Sequence, residues 1–211
     1  MRPFYSNVLR SYHSFPFRFV ALFCQTCLES SVPPIMDKYF SYGDQANSVL
    51  YLLAGLELIL VFCVLNISSR RISDRALIST GVVLMLVALI WLSSTLPRFQ
   101  DKDRSNLPYF AVGVVLDLAG IPTVCDIGLS LYSKLLPDNM QGVGNAVRRF
   151  VSQLAIILGP VWGAGTLTTS PYLMLLVPLG LLSLGSLLFL TSYRKLDPGT
   201  EGSRHQTETR T

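Results

Sequence analysis

The chain has 211 residues, 50% of them hydrophobic and 14% charged, with mean hydropathy +0.46 and formal net charge +4. Soluble domains carry about 25% charged residues, so an ordinary soluble globular domain is excluded. The Lys and Arg lie between apolar runs, so the basic excess marks membrane topology; no nucleic-acid partner is expected.

Six apolar runs approach the roughly 20 helical residues needed to cross a hydrocarbon layer of about 30 Å. They are 18–36, 47–65, 76–96, 108–132, 148–167 and 171–192. Runs of this length predict helices, which satisfy their own backbone in lipid, rather than barrel strands. The expected fold class is an all-α membrane protein with six transmembrane helices. Its spanning domain is 18–192, between an N-terminal tail, 1–17, and a disordered C-terminal tail, 193–211.

The first run follows a basic, aromatic lead and contains Glu29, which reads as an uncleaved signal-anchor helix rather than a cleavable signal. Gln25, Thr26, Glu29, Ser30 and Pro33 form a polar stripe at helical spacing. Glu29 is then either part of a pathway wall or near the outer end, where water reaches it. In the second run Glu57 stands mid-span, and its i±3 and i±4 neighbours Leu53, Ala54, Leu60 and Val61 offer it no partner. An ionisable group at that depth costs about 2.5–3.5 kcal/mol on insertion scales and points to a lumen or another helix. The connection 66–76 (NISSRRISDRA) carries Asp74 and Arg75, as a positive-inside loop or as a latch pairing with helix ends.

The fourth run holds Asp117 and Asp126. Nine helical residues turn through about 900°, so the two carboxylates point in opposite directions. Asp117 shares its face with Gly113 and Gly120 and is expected at an interhelix contact. Asp126 shares its face with Pro122, Thr123 and Ser130 and is expected in a pathway or gate. In the fifth run Arg148, Arg149 and Gln153 are expected at a polar mouth, with Arg149 paired to Asp126. Snorkelling at the membrane border explains one arginine there well, but two arginines with Gln153 and Asn145 less well. Ala155, Gly159 and Gly163 form a small-xxx-small ridge for close helix packing, and Pro160 is a hinge.

Thirteen of the 17 Lys and Arg fall in the N-tail, the second and fourth connections and the C-tail, which puts both termini in the cytosol. Cys24, Cys27, Cys63 and Cys125 all lie in spans. The C-x-x-C at 24–27 lacks a second Cys pair or a nearby His, so buried thiols are expected and no metal site. No Ser-His-Asp set or G-x-x-x-x-G-K-[ST] loop is present, so neither an enzyme nor an ATP-driven pump is expected, and no cofactor.

The short Asp74-Arg75 connection between the second and third helices, with "ILGPVWGAG" at 157–165, resembles the major facilitator superfamily. The stretch 121–165 is similar to lysosomal members, through Pro122, Val124 and Cys125, "LYSK" at 131–134, "QGV" at 141–143 and "LGP" at 158–160. The resemblance covers the C-terminal half of such proteins. It implies half of a major facilitator fold, a 3+3 inverted repeat, whose partner is a second six-helix half or a second copy. It implies alternating-access movement of a small solute or anion across an endolysosomal membrane, or the plasma membrane. Glu29, Glu57, Asp126 and Arg149 would be the wall and gate residues. An anion channel and a non-transporting subunit packed on a full-length partner are the competing expectations.

Overall fold

The computed structural model describes the backbone of residues 2–135 and 141–193, and the side chains of 16–74, 76–125 and 141–188. Among these residues all regular structure is helical: α1 (Arg2–Phe40), α2 (Asp44–Ser68), α3 (Asp74–Thr95), α4 (Leu107–Leu135), α5 (Gln141–Leu167) and α6 (Pro171–Tyr193). Each contains a segment long and apolar enough to cross a membrane, from 18 residues in α6 to 27 in α5. The C-terminal tail expected at 193–211 lies outside the described residues beyond Tyr193.

Local chemistry explains the ends. Ser41 takes a left-handed φ of 53° after α1, and the Tyr42 N–H reaches back to the Met36 carbonyl at 3.1 Å. With the Ser41 N–H donating to the Asp37 carbonyl at 3.1 Å, this is an αL-type stop without glycine. Ser73 caps α3, its hydroxyl accepting from the Ala76 N–H at 3.4 Å. Before α4, the Ser105 hydroxyl (2.7 Å), the Ser105 N–H (3.0 Å) and Asn106 Nδ2 (3.0 Å) donate to Asp103. These bonds, the Ser105 hydroxyl first, hold the Asp103 carboxyl below its ordinary range. Their contribution is therefore present at neutral pH and is lost as acid protonates that carboxylate.

The bundle has an internal regularity. α1 packs against α4, α5 and α6; α4 packs against α1, α2 and α3; α3 also meets α6. Exchanging α1 with α4, α2 with α5 and α3 with α6 maps these contacts onto one another, while the α5–α6 and α1–α2 contacts have no counterparts of like extent. α2 is the loosest member, with no buried residue, and its Leu52, Leu56, Ile59 and Leu60 are exposed. In lipid such a surface is solvated by acyl chains and carries no hydrophobic penalty.

Close approach depends on missing side chains. A Cβ on Gly120 would lie 2.8 Å from the Gly81 carbonyl oxygen, and one on Gly81 equally close to that of Gly120. A Cβ on Gly163 would lie 2.5 Å from the Cys27 carbonyl oxygen and 2.7 Å from Ser31 Oγ, and one on Gly159 would overlap the Thr26 hydroxyl. The ridge of Ala155, Gly159 and Gly163 is buried against α1 as its spacing predicts, whereas Phe150, Ile157 and Val161 point outward. Small residues inside and large apolar ones outside is the pattern of membrane helix pairs.

Candidate functional site

A cavity of about 240 Å³ opens between α1, α2 and α4. Gln25, Glu29, Tyr51 and Asp117 are its polar lining, and the remainder is aliphatic or glycine. Gln25, Glu29 and Asp117 fall near the middle of the spans Pro16–Phe40 and Arg104–Cys125, and Tyr51 in the first third of Asp44–Ser68. The cavity lining therefore belongs to the apolar spans rather than to the connections between them.

Prolines build part of this site. A helical proline removes the hydrogen bond to the carbonyl four residues earlier. Pro33 frees the Glu29 carbonyl, and the Tyr51 hydroxyl of α2 donates to it at 3.2 Å. This bond ties the loosely packed α2 to α1 at the cavity rim. Pro178 likewise frees the Met174 carbonyl, towards which the Cys27 thiol points at 3.8 Å; Cys24 donates to the Pro178 carbonyl at 3.4 Å. The C-x-x-C pair thus faces α6 as two buried thiols.

The acids differ in setting. Asp117 is 3% exposed, and its Oδ1 has no hydrogen-bond partner. It lies between helices as its glycine-flanked face predicts, and it also lines the cavity. Glu29, on the opposite wall, is exposed. Glu57 is half-buried; its neighbours Ala54, Gly55 and Leu58 line the cavity, but Glu57 is not among the lining residues. The polar stripe of α1 divides into two faces. Gln25 and Glu29 face the cavity, whereas Thr26 and Ser30 meet α5, with Thr26 Oγ1 3.3 Å from the Ala155 carbonyl oxygen.

The arginine pair has no such focus. Arg149 and Gln153 are exposed, and Arg148 is half-buried, beside the buried Ser152. Pro160 is half-buried on α5, one residue beyond the ridge glycine Gly159. Asp74 is half-buried in the first turn of α3, behind the Ser73 cap. The side chains of Asp126 and Arg75 lie outside the described residues, and so does the pairing of Arg149 with Asp126.

Arg18 is a clamp that charge counting missed. Its Nε donates to Ser152 Oγ at 3.0 Å and its Nη1 to the Cys125 carbonyl at 2.9 Å, joining α1 to α5 and α4. At the other end of α1, Arg104 Nε donates to the Phe40 carbonyl at 3.4 Å, and its guanidinium stacks 4.8 Å from the Tyr42 ring centroid. Arg18→Met removes the fork and leaves the Ser152 hydroxyl and the Cys125 carbonyl without it, which costs roughly 1–3 kcal/mol. Thermal unfolding in detergent should show a drop of several degrees. Arg18→Lys should recover only part of it, because an ammonium does not reproduce the planar fork.

Fold and site together define an all-α membrane protein of six spanning helices with a carboxylate-lined cavity between α1, α2 and α4. No protein-family model matches the chain, and no solved structure matches it.

Proposed function

We propose that the chain is a transporter of the major facilitator type, or one six-helix half of one, moving a small solute by alternating access. The observation that carries this reading is the cavity within the spans, with two carboxylates, Glu29 and Asp117, on facing helices. Ionisable groups within spans are costly and mark ion or substrate pathways. The exchange regularity of the contacts adds support, since it has the pattern of an inverted repeat with its site at the repeat interface. The loosely packed α2 and the outward face of α5 provide surface for a second bundle, from a partner or a second copy. Both termini are assigned to the cytosolic side and the protein to an endolysosomal membrane, from the distribution of basic residues and the sequence resemblance.

An anion channel fits the cavity less well, because its polar wall is carboxylate, amide and phenol without a base. The test is flux in proteoliposomes containing the purified chain, with amines, amino acids, sugars and chloride offered in turn. Saturable flux that Glu29→Gln reduces at least about tenfold supports the transporter. Flux of chloride that stays linear with concentration removes it; no flux with any solute removes the stand-alone transporter and leaves only the six-helix half. Glu57→Gln should act more weakly, about threefold or less, because Glu57 does not line the cavity.

A further inference from the structure

We infer that the cavity between α1, α2 and α4 takes a small amphipathic organic cation, an ammonium group on an apolar body. This names the substrate class of the site above and rests on the transport reading. Asp117 is 97% buried by its 3% exposure, and its Oδ1, on the cavity wall, has no hydrogen-bond partner among the described residues. A buried acceptor without a donor is costly; a ligand N–H or cationic centre supplies what the fold does not. Glu29 lines the same cavity from another helix, so two carboxylates address one space. No Lys, Arg or His lies among the lining residues. An anion would therefore meet two carboxyl groups and no basic group to receive it, whereas a monocation can pair with a carboxylate and favours its charged form.

The remaining lining decides between an organic and an inorganic cation. Calcium takes six to eight oxygen ligands and magnesium about six in near-octahedral order. Here the lining side chains offer oxygen only from the Glu29 and Asp117 carboxyls, the Gln25 amide and the Tyr51 hydroxyl, and no group of three His, Cys, Asp or Glu among the described residues could hold a metal. The other walls are apolar, with Leu28, Val32 and Leu58 among them. Such walls suit a hydrocarbon body, and the Tyr51 ring adds a π face for the ammonium. The volume of about 240 Å³ is below the roughly 300–1,000 Å³ of sites for drug-sized ligands. The occupant is correspondingly small, on the scale of one ring and its ammonium.

The experiment is calorimetric binding to the full chain in nanodiscs, with empty nanodiscs subtracted. The probes are benzyltrimethylammonium, which keeps its charge at every pH, uncharged benzyl alcohol and anionic benzoate. Saturable binding of benzyltrimethylammonium is expected, with benzyl alcohol and benzoate at least about tenfold weaker. Glu29→Gln, at an exposed position that folding tolerates, should weaken the cation at least about tenfold; Asp117→Asn should do the same while keeping its melting transition. Absence of benzyltrimethylammonium binding overturns the inference and leaves the carboxylates to protons alone. Equal binding of benzyl alcohol or benzoate, or unchanged affinity in Glu29→Gln, overturns it too. Flux separates the two levels. Transport of a neutral or anionic solute without cation binding sinks the substrate class but keeps the transporter. Cation binding without flux of that cation or any other solute sinks the stand-alone transporter but keeps the site.

Discussion

Gly159→Leu should separate α1 from α5 and lower the melting temperature in detergent by roughly 5–10 °C, equivalent to about 3 kcal/mol. The Cβ alone would overlap the Thr26 hydroxyl, and it would lie 3.0 Å from both the Cys27 nitrogen and the Phe23 carbonyl oxygen. A Thr26 rotamer change can relieve the overlap with its hydroxyl but not the two 3.0 Å backbone approaches, which leave no room for the rest of a leucine side chain, so the helices must move apart. That movement would break the 3.3 Å contact between Thr26 and the Ala155 carbonyl and pull Ser152 from Arg18. Gly180→Leu is the control. A Cβ there meets nothing within 4 Å, so the melting temperature should stay within about 2 °C. Equal losses in the two variants would mean that the α1–α5 contact is not the close one described.

Asp117→Leu should do the reverse: raise stability and abolish function. The wild-type carboxyl is buried at mid-membrane with one oxygen unpartnered, at a cost of about 1–3 kcal/mol. The cavity beside it has room for the larger apolar side chain. Replacing a buried polar group by an apolar one of similar size is often stabilising. A melting temperature higher by roughly 2–6 °C is expected, together with solute flux reduced to the background of empty liposomes. A fold-supporting Asp117 would give the opposite sign for stability, and an irrelevant one would leave flux intact. The paired measurement therefore separates a residue kept for chemistry from one kept for structure.

The helices were legible because lipid imposes a length and a composition that few other structures require. Each apolar run became a helix, most of them extended by a few residues at polar ends, whereas α1 also runs back through the stretch 2–17 that read as a tail, from Arg2 to Phe40. The ridge on α5 was legible for a similar reason, since Ala155, Gly159 and Gly163 repeat every four residues. The cavity was only half legible. Glu29 stood out as an acid in a span, but Asp117 read as packing because glycines share its face. Placing it against Glu29 takes the contact between α1 and α4, which are far apart in sequence. Tyr51 was missed because its partner, the Glu29 carbonyl, is created by Pro33 on another helix. Arg18 was counted as a topology charge, and the signal that distinguishes it, a hydroxyl and a carbonyl on α5 and α4, is entirely long-range.

The central claim, that the carboxylate-lined cavity is reached in turn from both sides of the membrane, has a direct test. Glu29→Cys, in a chain whose exposed Cys63 is replaced by Ser, is treated with a membrane-impermeant methanethiosulfonate from one side or the other of oriented proteoliposomes. Labelling from each side is predicted, with solute shifting the ratio between them. Labelling from one side only, at the same rate with and without solute, would contradict alternating access at this cavity.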